Sequence, residues 1–193
     1  MNEPEPTSQN QPRTHRVGAV RTLSHPNFRV LSVSAVVGGI TFLGEMVILG
    51  WMVLELTNSP FKVGLAIGLR QAPSLVLGIP FGAVADRFDR RNLLFFTVVA
   101  LAVTSLATAA LLQVGWLGLW PLLALNFVLG TWWTGVRTLR QSMTYDIVGA
   151  QDMVSGLAIA VLAQRLGGIL GAFGIGAVLA ATDAATAYAV VTV

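Results

Sequence analysis

The sequence predicts an all-α membrane protein, and three observations carry that prediction. Apolar residues fall into runs long enough to cross a bilayer, charged residues are scarce inside those runs, and arginines collect at alternate ends of them. The chain is 54% hydrophobic and 11% charged, with a mean hydropathy of +0.72, whereas soluble domains carry about a quarter charged residues. A run of about 18 or more apolar residues reads as a spanning helix, because inside lipid every backbone polar group must be satisfied within the segment.

In chain order, residues 1–27 are polar, rich in Pro, Gln, Asn and Arg, and lack an apolar period, so they read as a disordered tail. The remaining residues, 28–193, form the transmembrane domain. Its first run, 28–56, is too long and too far from the N-terminus for a signal-peptide core, and it lacks a small-residue cleavage site, so a retained helix is expected. Further helices are expected at 63–85, 93–113, 119–136 and 153–181. A sixth run opens at residue 184, and its roughly ten residues to Val193 rise only about 15 Å, half of the roughly 30 Å hydrocarbon core. The chain is therefore expected to break off within its sixth helix.

Orientation follows from the distribution of basic residues over loops. The tail holds Arg13, Arg16, Arg21 and Arg29, the link between the second and third runs holds Arg87, Arg90 and Arg91, and the link between the fourth and fifth holds Arg137 and Arg140. The opposite loops offer Lys62. The N-terminus is thus expected in the cytoplasm of a multi-pass plasma-membrane protein. Trp51, Trp116 and Trp120 are expected near the outer interface and Trp132 and Trp133 near the inner one, although large aromatics also pack between helices. The basic bias, with pI near 10.2, is explained by membrane orientation and not by nucleic-acid binding, since the net charge is only +3 and no basic face forms.

The densest charge cluster is the link Gly82-Ala83-Val84-Ala85-Asp86-Arg87-Phe88-Asp89-Arg90-Arg91. Gly82 lets two backbones approach closely, Asp86 stands where a helix leaves the membrane and can pair with an Arg or a helix N-terminus, and Arg90 and Arg91 suit anionic headgroups. A plain solvated loop is the alternative. The pattern G-x-x-x-D-R-x-x-R-R resembles the cytoplasmic loop signature of the major facilitator superfamily, and Asp89, where Gly is typical, resembles its drug-exporter-like branch. Glu45, Thr57-Asn58-Ser59-Pro60 before Val63-Gly64-Leu65, and Arg140-Gln141 near Asp146-Ile147-Val148 are similar to that branch as well.

The resemblance implies the amino-terminal six-helix half of a twelve-helix transporter, each half built from inverted three-helix repeats. It also implies that Asp86, Arg87 and Arg90, with Asp89 and Arg91 beside them, form a conformational switch against a missing carboxy-terminal half. In the fifth run Gly168, Ala172, Gly176 and Ala180 recur every four residues and predict a smooth packing face. Family antiporters are similar there but usually carry Gly-Pro where Gly171-Ala172 stands.

Glu45, Arg70 and Arg165 lie inside apolar runs, where a charge costs about 2.5–3.5 kcal/mol on insertion scales and usually faces a cavity or partner. They are candidates for a proton or substrate pathway, with Asn126 and Gln164 as weaker ones. Glu45 can serve as a proton carrier or as half of a permanent ion pair. Glu45 is eleven residues below the end of its run at Leu56, about 16 Å, and Arg70 eight residues into the next run from Lys62, about 12 Å, so the two are expected to face each other. Arg165 is the rival partner.

The chain has no cysteine, its two histidines, His15 and His25, lie in the tail, and no protease, zinc or nucleotide-loop motif occurs, so neither an enzyme, a metal site nor a cofactor is expected. The leading expectation is a proton-coupled exporter of small amphipathic molecules, working by alternating access in a lipid bilayer. A nutrient importer of the same fold, a non-transporting membrane scaffold and a gene fragment are the alternatives.

Overall fold

The computed structural model describes residues 26–85, 87–115 and 118–181. Five helices account for nearly all of them: α1 Pro26–Thr57, α2 Pro60–Ala85, α3 Arg90–Gln113, α4 Leu119–Gly149 and α5 Asp152–Ala181. Each is long and apolar enough to cross a membrane. No strand occurs among the described residues. The chain passes back and forth between a near end, where α1 starts, and a far end, where it stops.

Local chemistry sets the turns. At the far end Asn58 takes φ 47°, and its N–H donates to the Leu54 carbonyl at 2.7 Å, the left-handed stop that asparagine tolerates. Pro60 then opens α2 at a position where its missing N–H is harmless. At the near end the Asp89 side chain accepts from the Arg91 N–H at 3.0 Å and caps α3. Between α4 and α5, Gly149 adopts φ 71° and ψ 174°, backbone that is essentially glycine's alone.

The fourth helix corrects the sequence reading. It was expected to stop at 136 but continues to Gly149, so Arg137 and Arg140 are helical residues and not loop charges. The physical reason is visible in burial: Val136, Leu139 and Thr144 are buried at helical spacing while Arg137 is exposed. The polar stretch is thus the amphipathic continuation of a helix. Arg29, expected in the tail, belongs to the first turns of α1. Residues 1–25, Asp86, Trp116 and the expected sixth helix lie outside the described residues.

Two apolar clusters fill the bundle. Toward the far end, Ile48, Leu49, Met52 and Val53 of α1 pack on Ala66, Ala109, Leu122, Leu123 and Ile175. Nearer the middle, Phe42, Leu101, Leu129, Trp133 and Val136 close together, with the Phe42 and Trp133 rings edge-to-face at 5.1 Å. Trp133 is therefore a core residue and not an interfacial one, and Trp132 packs against the same cluster. Trp51 and Trp120 are exposed near the far end, as an aromatic belt requires. Leu75, Ile79 and Phe173 point outward, as lipid-facing side chains do.

Glycines decide which helices touch. A Cβ on Gly167 or Gly171 of α5 would collide with the carbonyl oxygen of Val36 or Ile40 of α1, and one on Gly39 with that of Gln164. Helices α1 and α5 therefore run in the same direction in backbone contact. A second such contact joins α2 and α4, where Gly130 lies against the Arg70 carbonyl.

Candidate functional site

A buried polar cluster occupies the middle of the bundle. Glu45 of α1 is 0% exposed and Arg70 of α2 only 2%. An Arg70 Nη2 hydrogen donates to Glu45 Oε2 in an ion pair, and Nη1 donates to Asn126 Oδ1 at 3.1 Å. Asn126 of α4 in turn donates to the Ala66 carbonyl at 2.8 Å. The carboxylate collects two more donors: Ser105 Oγ of α3 at 2.7 Å to Oε1, and Trp133 Nε1 of α4 at 3.3 Å to Oε2. The Arg70 guanidinium also lies 5.5 Å from the centre of the Phe42 ring.

Four helices thus deliver one carboxylate and its donors to a single point. The pairing expected from the depths of Glu45 and Arg70 is present, and Asn126 joins it. Sequence reasoning missed Ser105 and Trp133. A lone hydroxyl and an indole carry no signal in a helix already rich in Ser, Thr and aromatic residues. Neighbouring threonines, including Thr97, Thr104 and Thr108, direct their hydroxyls to carbonyls four residues back. Ser105 instead turns across to Glu45.

Beside the cluster opens a cavity of about 1010 Å³ between α1, α3, α4 and α5. Its wall is mainly aliphatic, with Val33, Val37, Val98 and Leu170 among its residues. Ser105 and Trp133 line it too, so the side chains that hold the Glu45 carboxylate also form part of the cavity wall. Arg29 and Arg140 complete its polar lining together with Ser34 and Thr41.

The near end holds a second charged contact. Arg90 Nη1 of α3 donates to both oxygens of Asp146 on α4, at 2.7 and 2.5 Å, in a partly exposed pair. Of the expected switch residues, Arg90 is thus joined to α4, Asp89 caps α3, and Arg87 and Arg91 are exposed. Asp86 lies outside the described residues. Gly82 does not mediate close packing, since a Cβ there would meet nothing within 4 Å.

A family model described as transmembrane secretion effector, of the major facilitator type, matches residues 17–193. The chain belongs to that family. It is accordingly a membrane transporter of the major facilitator type with several apolar helices long enough to span a membrane. No curated protein matches the chain.

The remaining expected residues fall elsewhere. Arg165 is exposed on α5 and is not among the partners of Glu45. Gln164 contributes its backbone carbonyl to the α1–α5 contact and lines a small crevice with Arg140 and Thr144. Of the expected packing face, a Cβ on Gly168 would meet Leu43 at 3.2 Å, whereas Gly176 has open space around it and Ala180 is exposed. Ala172 is half-buried. The contact face is Gly167, Gly168 and Gly171, which lie against Val36, Leu43 and Ile40 of α1, and farther along α5 Ile175 packs into the cluster around Ile48 and Val53.

Proposed function

We propose that this chain is the amino-terminal half of a secondary transporter that exports small amphipathic molecules in exchange for protons by alternating access. In this reading a second six-helix half completes the pathway, each half repeats a three-helix unit in inverted form, and the near end faces the cytoplasm of the plasma membrane. The Arg87, Arg90 and Arg91 cluster at that end supports the orientation.

One observation carries the proposal. The buried Glu45 carboxylate is tied through Ser105 and Trp133 to the wall of a cavity large enough for a drug-sized molecule. A proton arriving at Glu45 converts an acceptor of three donors into a group that must itself donate, so the Arg70, Ser105 and Trp133 contacts rearrange. A substrate in the cavity presses on two of those same side chains. Proton and substrate occupancy are thereby coupled through shared contacts, as a binding linkage between two sites requires. The Arg90–Asp146 pair fixes the near ends of α3 and α4, where a switch against the second half would act.

Full-length protein reconstituted in vesicles with an imposed proton gradient tests this. Uptake of a lipophilic fluorescent compound should follow the gradient in the export sense, and Glu45→Gln should abolish gradient-driven accumulation while leaving downhill exchange. Accumulation in the opposite sense identifies an importer. Absence of flux in either sense, with folded protein in the vesicles, returns the chain to a scaffold role. Gradient-driven accumulation by Glu45→Gln at the wild-type level removes Glu45 from the coupling step.

A further inference from the structure

The large cavity has a feature that neither the Glu45 cluster nor the family relationship accounts for. Among the described residues that line it, Arg29 and Arg140 are the charged ones and none is acidic. From α4 the Arg140 side chain reaches α1 and lays its guanidinium against Gly38, where a Cβ would stand 2.5 Å from Nη1 and 3.2 Å from Nη2. Its Nε is buried with no hydrogen-bond partner. Among the described residues the ion pairs join Arg70 to Glu45 and Arg90 to Asp146, and no carboxylate pairs with Arg140.

The neutral donors of the same wall are already engaged. Ser34 donates to the Leu31 carbonyl at 3.0 Å and Thr41 to that of Val37 at 3.2 Å. Ser105 and Trp133 donate to Glu45. A guanidinium that lines a mainly aliphatic cavity, with no carboxylate paired to it among the described residues, is a costly arrangement that a matching anion relieves. Its planar fork suits a carboxylate or phosphate, which it can hold through two parallel hydrogen bonds. Around it, Val33, Val37, Val98 and Leu170 offer an apolar surface of the kind that takes a hydrocarbon body.

We infer that Arg140 is an anion-binding residue of this cavity, and that the cavity takes an amphiphile with one carboxylate- or phosphate-like head on Arg140 and its apolar body against α1, α3 and α5. The inference deepens the transport reading by naming a substrate class, and it rests on that reading for the word substrate, but binding can be measured without flux.

The test uses purified full-length protein in nanodiscs of phosphatidylcholine. A dansyl-tagged undecanoate is titrated in and displaced with decanoate, decyl phosphate, decanol or decyltrimethylammonium. Decanoate and decyl phosphate should displace the probe at least tenfold more effectively than decanol or the cation. Arg140→Gln should remove that preference while changing decanol affinity less than twofold, and Arg140→Lys should keep part of it. Gly38→Ala, which pushes the guanidinium aside without removing its charge, should weaken the two anions selectively. Nanodiscs containing phosphatidylglycerol separate the sources: competition by the lipid identifies a headgroup as the anion, and its absence a free amphiphile.

No saturable probe binding, equal displacement by anion and cation in the wild-type protein, or an unchanged preference in Arg140→Gln overturns the inference. Should Arg140→Gln fail to fold, the wild-type selectivity and the Gly38→Ala titration decide it. Arg140-dependent anion binding without proton-driven flux refutes the transport reading alone. Proton-driven flux with no anion preference refutes the anion site alone.

Discussion

Neutralising Glu45 and Arg70 singly and together should show the two residues acting as one unit. In Glu45→Gln the Arg70 guanidinium stays charged at 2% exposure, with Asn126 at 3.1 Å and the Phe42 ring as its remaining partners. In Arg70→Gln the carboxylate stays buried with only the Ser105 and Trp133 donors. Breaking a buried pair by removing one partner costs about 3–5 kcal/mol, because the other charge is left uncompensated. Independent effects would therefore sum to roughly 6–10 kcal/mol in the double variant. Removing both charges together leaves no uncompensated ion, so the double variant should cost no more than either single, a coupling of at least about 3–5 kcal/mol. Unfolding in mixed micelles of mild detergent and dodecyl sulfate, followed by tryptophan fluorescence, measures all four proteins on one scale. Additivity within about 0.5 kcal/mol would refute the reasoning, since that is the scatter expected of sites that do not interact.

Three further outcomes follow from the geometry. Gly171→Val should destabilise the bundle by several kcal/mol or prevent folding in the same unfolding assay, because its Cβ would strike the Ile40 carbonyl, while Gly176→Val should fall within about 0.5 kcal/mol of wild type. Asp146→Asn should change stability by less than about 1 kcal/mol, since the pair with Arg90 is half exposed, yet lower the transport rate in vesicles if the contact serves a switch. A cysteine at Ser59 should react with a membrane-impermeant thiol reagent in intact cells and one at Ser8 should not, and the reverse pattern would invert the proposed orientation.

Much of the fold was legible because lipid makes a simple demand on sequence. Five apolar runs became five helices, and the consecutive antiparallel order of α1 and α2 allowed the depths of Glu45 and Arg70 to be compared by rise alone. The remainder of the cluster was not legible. Ser105 and Trp133 reach Glu45 from α3 and α4, and which faces of non-consecutive helices meet is set by packing that no single-helix period encodes. The same limit moved the α5 contact face to Gly167 and Gly171. Small residues at a four-residue spacing identify several possible faces, and only the crossing with α1 selects one. Arg140 was missed for a different reason. Polarity alone ends α4 at 136, although Val136, Leu139 and Thr144 keep a helical period through the charged stretch.

The glycine contacts also bear on how such a bundle can move. Helix α1 is interlocked with α5 where Val36 and Ile40 meet Gly167 and Gly171, and α2 with α4 where Arg70 meets Gly130. At each crossing backbone lies against backbone, so sliding one helix past its partner would drive a carbonyl into a neighbouring chain. Such close-packed cores rearrange between discrete states and do not deform continuously. The Glu45 cluster then ties these two pairs together, because α1 supplies the carboxylate, α2 the guanidinium and α4 the indole, while α3 adds Ser105. Motion inside the bundle is therefore confined to what the polar cluster permits, and in the proposed transport cycle the bundle would move as a rigid body against the proposed second half. If Glu45 is the coupling residue, its protonation matters because it loosens a polar contact that joins four helices through side chains. A protonation-mimicking Glu45→Gln protein should then show faster amide exchange in α3 near Ser105 than at the α1–α5 crossing around Gly167. Uniform acceleration across both regions would mean that the cluster supports global stability alone.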